Sequence, residues 1–233
     1  MNSRKLFSFI RKFNIMLIFF VGILSLGLLT IVASFVLQER MSTKHVNNVS
    51  NVAGEEVKKL KVEIGDFARI EGSQVFRSPI SVKQEYSFSY GSKEASSIRN
   101  YLFFNQENKS TYWLKNGNDA LILSADYLPE SNYNWTQRTI VAFVYVIVEK
   151  DTNSDERFTE NDLKNIAISD ANGLRYKVIL KNVNRLNGLS LLENGHILIF
   201  YSTVSAVKVA EVDLQLQQIL SDVEMTILND RKK

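Results

Sequence analysis

The chain has 233 residues, 45% of them hydrophobic and 11% aromatic, which is enough apolar material for one ordinary domain and too much for wholesale disorder. Its net charge of +3 is local: Arg4, Lys5, Arg11, Lys12 and Arg40 flank one apolar run with Glu39 as the only acid beside them. Removing these from the 28 basic and 25 acidic residues leaves 23 and 24. A balanced remainder carries no electrostatic footprint for nucleic acid, and the absence of cysteine excludes disulfides, thiol catalysis, thiolate metal sites and a lipid-modified N-terminal cysteine.

The apolar run, Ile15 to Leu37, has 23 residues and no charge. As a helix it spans about 34 Å, against a hydrocarbon core of about 30 Å. It reads as a transmembrane helix whose partner is the lipid bilayer. A cleaved signal peptide is the alternative, with Val32-Ala33-Ser34 as its cleavage site, but signal cores usually run only about 7–15 residues. Four basic and no acidic residues in the first fourteen keep that tail cytoplasmic and send the rest across. Leu6, Phe7, Phe9, Ile10 and Phe13 interleave with those charges, as in a tail lying at the membrane interface.

From Gln38 to about Lys59 the chain is polar, with Val46, Val49, Val52, Val57 and Leu60 at roughly helical spacing, and reads as a stalk. Residues 60–233 then carry strand signals. These cover Glu85 to Tyr90, Asn100 to Asn105, Thr111 to Lys115, Ala120 to Ser124, Asn165 to Ser169, Arg175 to Leu180, His196 to Ser202 and Val207 to Leu214. Arg138 to Glu149, long and rich in β-branched and aromatic residues, reads as the central strand. Gln106-Glu107-Asn108, Ala171-Asn172-Gly173 and Glu193-Asn194-Gly195 are turn signals. The fold class is therefore mainly β: one N-terminal transmembrane helix followed by an antiparallel β-meander.

Arg99 to Asn116 and Lys164 to Asn182 share a layout. Each has a basic residue and Asn, an apolar strand, a polar turn, a strand with Tyr, and Leu-Lys-Asn. This is the pattern of a repeated hairpin in a propeller-like sheet, although any two hairpins of a meander look somewhat alike. About 170 residues are too few for a typical closed ring.

One stretch carries metal chemistry. In Asp151 to Asp162, with Asp151 as position 1, Asp151, Asn153 and Asp155 place oxygens at 1, 3 and 5. Arg157 offers its carbonyl at 7, Thr159 sits at 9 and Asp162 closes at 12. That is the oxygen-ligand spacing of a calcium loop, and a bound Ca2+ would neutralise three carboxylates in a structural role. Glu156 departs from it by standing where glycine usually makes the sharp turn. A polar hairpin connection rich in Asp and Asn is the competing reading.

Arg99-Asn100-Tyr101-Leu102-Phe103, the Asp151 loop and Val183-Asn184-Arg185-Leu186 together resemble a group of uncharacterised single-pass membrane-anchored proteins of Gram-negative bacteria. The loop itself resembles dockerin-like calcium loops. The resemblance implies an inner-membrane anchor with a β-rich, propeller-like periplasmic domain, and it brings no activity.

His45 and His196 are the only near-neutral bases, and neither has neighbours suggesting a triad or a metal triplet. Asp126 and Glu130 would matter only if paired across a sheet. No phosphate-binding glycine loop occurs, so an enzyme is not expected. The chain divides into a tail (1–14), a membrane helix (15–37), a stalk (38–59) and a β-rich domain (60–233). The expected role is that of an anchored interaction or scaffold protein, with a protein partner in the membrane or envelope. The alternatives are a ligand- or carbohydrate-binding sensor using Tyr112, Trp113, Tyr133 and Trp135 as a stacking surface, and a hydrolase.

Overall fold

The computed structural model describes residues 3–41, 44–47, 50–51, 61–88, 91–129 and 139–226. It divides into two units: residues 1–44 with 86–93, and residues 45–85 with 94–233. In the first unit a single helix, α1 (Ser3–Met41), runs through the basic tail, the apolar run and the start of the segment read as a stalk. Its stretch Arg11–Ala33 is long and apolar enough to cross a membrane, and it is exposed along its length.

The second unit is built of antiparallel strands, some of whose ends (Lys44, Tyr86–Phe88 and Gly91–Lys93) belong to the first. β1 (Lys44–Asn47) and β2 (Ser50–Asn51) fall within the stalk segment, and both pair with later strands, so this segment contributes to the sheets. The first sheet contains β3 (Lys61–Ile64), β4 (Ala68–Arg69), β5 (Val75–Phe88), β6 (Gly91–Asn105) and β7 (Thr111–Trp113), in the order β1-β6-β5-β3 with β4 on β5 and β7 on β6. The second sheet contains β8 (Leu121–Leu128), β9 (Ala142–Val148), β11 (Lys164–Asp170) and β12 (Lys177–Val183), in the order β12-β11-β9-β8. A short β10 (Arg157–Phe158) lies between them in sequence and pairs with β2. The third sheet is the meander β13 (Arg185–Leu191), β14 (His196–Ser202), β15 (Val207–Asp213) and β16 (Gln218–Glu224).

These sheets stack face to face, like successive blades of a propeller. Tyr101, Phe103, Leu114, Phe143, Tyr145 and Ile147 form a core between the first and second sheets. Ala142, Val144, Ile166, Ile168, Ile197, Ile199, Ala210 and Val212 form another between the second and third. The period-2 alternation of β9 explains the division: odd and even residues enter different cores, and all seven are buried. The run read as the central strand is indeed an inner strand of the middle sheet.

The repeated hairpin also has a structural counterpart. Arg99 to Asn116 supplies the end of β6 and β7, and Lys164 to Asn182 supplies β11 and most of β12, in adjacent sheets. The turn Ala171-Asn172-Gly173 requires its glycine. Gly173 has φ +75°, and an added Cβ would lie 2.1 Å from Phe103 Cζ.

Candidate functional site: the Asp151 loop and the cleft beside it

The loop leaves β9 after Glu149 and returns to β11 at Lys164. Phe158 anchors it by burying its ring with Leu121 and Val148, and the Arg157–Phe158 pair forms a two-residue ladder with Asn51 and Ser50. The exposed turn is held by carboxylates accepting backbone N–H groups. Asp151 Oδ1 accepts from Ser154 N at 2.7 Å and Asn153 N at 3.2 Å, and its Oδ2 accepts from Glu156 N at 2.8 Å. Asp155 Oδ1 accepts from Arg157 N at 3.0 Å, and Asn153 Nδ2 donates to Asp155 Oδ2 at 3.1 Å. The structure thus brings Asp151, Asn153 and Asp155 to one turn. Ser154 (φ 60°) and Glu156 (φ 61°) both adopt the left-handed conformation, so Glu156 makes the bend for which glycine was expected.

Asp162, at the closing position of the loop, sits deeper. It is fully buried; its Oδ1 accepts from Thr152 N at 2.7 Å and Thr152 Oγ1 at 3.1 Å, and its Oδ2 accepts from Thr159 N at 2.9 Å. It latches the two ends of the loop together by hydrogen bonds. Among the described residues no three His, Cys, Asp or Glu side chains converge as a ready metal cluster. The oxygens of positions 1, 3 and 5 remain the donor set a hard cation would find, with the Arg157 carbonyl next in line.

Beside the loop opens a cleft of about 680 Å³, lined by Ser124 and Asp126 of β8, Glu160 and Asn161 of the loop, Lys164 of β11 and Arg185 of β13. Ser124 Oγ donates to Asp126 Oδ2 at 2.9 Å. Lys164 Nζ donates to the Glu160 and Asn184 carbonyls, the latter at 2.7 Å. Burial holds the Lys164 ammonium below its ordinary pKa, against the opposing pull of Glu160 and Asp162. Just past β9, where the loop begins, Glu149 is raised by burial but held on balance below its ordinary value by Lys115, whose Nζ lies 2.6 Å away, and by Asn165 Nδ2 at 2.7 Å. The cleft thus presents both signs of charge at its rim.

The cleft is not legible in the residues, because its lining is drawn from separate segments between Leu123 and Leu186. Its one signal was indirect: Asn184, Arg185 and Leu186, which line it, belong to a stretch that carried the family resemblance.

The other candidates are dispersed. His196 lies on the third sheet, its Nδ1 2.7 Å from Glu211 Oε1 and its Nε2 3.9 Å from Asp213 Oδ2. The side chain of His45 and the whole of Glu130, Tyr133 and Trp135 lie outside the described residues. Tyr112 faces inward, stacked on Phe103 with ring centroids 5.5 Å apart, while its strand neighbour Trp113 is 48% exposed. The stacking pair expected there is therefore split between the two faces of the strand.

No family model and no curated protein matches the chain. Among solved structures it is similar to the β-propeller domain of the Trilobed protease from Pyrococcus furiosus, at 11% identity and TM-score 0.35, covering 72% of this chain and 44% of that one. It is also similar to a luciferin-regenerating enzyme, at 9% identity and TM-score 0.37, covering 74% of this chain and 66% of that one. The chain spans less than two thirds of either. Likenesses this loose carry no argument about activity.

Proposed function

We propose that this is a single-pass, membrane-anchored interaction module whose β-rich unit lies on the extracytoplasmic side, with calcium as a structural ion in the Asp151 loop. The supporting observation is the helix Ser3–Met41, apolar and exposed over Arg11–Ala33 with basic residues ahead of it, in a chain whose other described residues lie mostly in a second unit of stacked sheets. Such a helix is stable only with its surface covered by lipid or protein. The β-rich unit then works by binding rather than by catalysis. In a Gram-negative cell this corresponds to an inner-membrane anchor and a periplasmic domain.

The test is membrane extraction of the full chain at alkaline pH, followed by intact-mass measurement. An anchored protein stays with the membrane and keeps its N-terminal segment. Release into the soluble fraction with a new N-terminus near Ser34 would establish a cleaved signal instead.

A second reading, a sensor for a small polar ligand, is favoured by the cleft, since Asp126, Lys164 and Arg185 offer both charges to one occupant. Calorimetric titration with zwitterionic and sugar ligands tests it, and loss of binding in Arg185→Ala would locate the ligand.

A further inference from the structure

Resting on the reading of the cleft as a small-ligand site, the geometry points to a short peptide as its ligand, held extended by its two charged termini. The cleft opens where an apolar core is interrupted. Leu128, Val144, Ile166 and Ile168 turn one face of the second sheet toward the third. Ser124 and Asp126 alternate with Leu128 and stand opposite Val146 and Val144, and Lys164 alternates with Ile166, so all three belong to that same face. Apolar residues at these positions would extend the core. A hydroxyl, a carboxylate and an ammonium line a cleft instead, at a cost in desolvation that a binding site explains.

The two ends of the cleft are set well apart. Asp126 stands opposite Val144 and Val144 opposite Ile168, while Lys164 lies at the other end of β11 from Asp170. Two strand spacings across and four residues along place the Cα atoms of Asp126 and Lys164 about 16 Å apart. Side chains stand roughly perpendicular to a sheet, so their charged ends keep much of that separation. Taking about 3 Å for a hydrogen bond at each end leaves about 10 Å for the ligand, the length of about three extended residues. A free amino acid carries both charges on one carbon and is too short.

Each end holds a charge open to a ligand. Asp126 accepts from Ser124 Oγ on Oδ2 at 2.9 Å, which leaves Oδ1 for an ammonium. Arg185 is exposed and has no hydrogen-bond or ion-pair partner among the described residues. Next to it in sequence, the Asn184 carbonyl accepts from Lys164 Nζ, which also donates to the Glu160 carbonyl and keeps a third N–H. Glu160 and Asp162 offset the Lys164 charge, and the Asp162 oxygens already accept three hydrogen bonds. Arg185 is therefore the group that draws a carboxylate.

The walls between these ends suit a peptide. The carboxamides of Asn161 and Asn184 offer donors and acceptors to peptide groups, and Leu123, Val146 and Leu186 offer apolar surface to side chains. No aromatic side chain of the described residues lines the cleft, so a sugar ring finds no stacking platform there. The volume of about 680 Å³ lies within the range of about 300–1,000 Å³ usual for such sites.

The test is calorimetric titration of the full chain in detergent with the tripeptide Ala-Leu-Ala, its C-terminal amide, its N-acetyl form, leucine and maltose. The expected result is one-to-one binding of the tripeptide, each capped form weaker by about tenfold or more, and no heat from leucine or maltose. Arg185→Ala should weaken the tripeptide by about tenfold while leaving the affinity of the amide unchanged, and Asp126→Asn should do the same with respect to the acetyl form. Both side chains are exposed, so both variants should keep the natural melting temperature. Equal affinity for capped and uncapped peptide, or binding of leucine or maltose in place of the tripeptide, would overturn the peptide while leaving a small-ligand sensor standing. Silence from all the probes at millimolar concentration would overturn both.

Discussion

Arg99 donates from Nη1 to the carbonyl of Ala120 at 3.2 Å, linking the first sheet to the residue just before the second. One sheet later Lys164 makes the same connection, donating to the carbonyl of Asn184 at 2.7 Å, just before the third sheet begins. The repeated basic-Asn pair is thus a joint between successive sheets. Asn100 completes the first joint: its Nδ2 donates to the Lys115 and Gly117 carbonyls, each at 2.9 Å. Replacing Lys164 with Met should lower unfolding free energy by about 1–3 kcal/mol, because buried carbonyls lose a charged donor. Arg99→Met should cost a similar amount. Denaturant unfolding of the two single variants and the double variant checks this, and near-additive losses are expected, since Arg99 and Lys164 stand in different sheets and donate to different carbonyls.

Gly173 and Gly195 both have positive φ in turns recognised from sequence, but only Gly173 is crowded. Gly173→Ala drives a methyl into Phe103 and should cost more than about 3 kcal/mol. Gly195→Ala meets nothing within 4 Å and should cost about 1 kcal/mol from backbone strain alone. Thermal unfolding of the two variants side by side decides it.

The buried and the exposed carboxylates of the loop should respond differently to substitution. Asp162→Ala removes three hydrogen bonds from a fully buried carboxylate and should destabilise by about 3 kcal/mol with or without calcium. Asp155→Ala, in the exposed turn, should cost little in chelator but abolish stabilisation by calcium. That stabilisation should reach about 2.7 kcal/mol when calcium is at 100 times its dissociation constant. Melting temperatures in calcium and in chelator measure both effects.

Glu149 should contribute to acid sensitivity. Its folded pKa lies below the ordinary 4.5, so the stability it adds is present above that value and is lost as pH falls through the folded pKa. Glu149→Gln should therefore be less stable than the natural chain at neutral pH, with a gap that narrows below pH 4.5. Denaturation midpoints taken across pH check it.

Strands whose alternation is clean were legible in the sequence. His196 to Ser202 is β14 as read, and the long apolar run contains β9. β13 escaped because Asn187 and Gly188 interrupt its pattern where the register shifts, and β16 escaped because it is an edge strand with no buried residue. The first half of β5 was hidden by Pro79, whose carbonyl nevertheless accepts from Gly65 N at 2.9 Å. The loop's oxygen spacing could be read from the residues, but Asp162's turn toward Thr152 and Thr159 could not. The cleft depends on how sheets stack, which local periodicity does not encode.

The most direct test of the anchored, extracytoplasmic arrangement uses the absence of native cysteine. Single cysteines are placed at Ser8 in the tail and at exposed Glu107 in the β6–β7 turn, and intact spheroplasts are treated with a membrane-impermeant maleimide. The account predicts labelling of Glu107→Cys in intact spheroplasts and of Ser8→Cys only after lysis. Labelling of Glu107→Cys only after lysis would place the β-rich unit in the cytoplasm and contradict it.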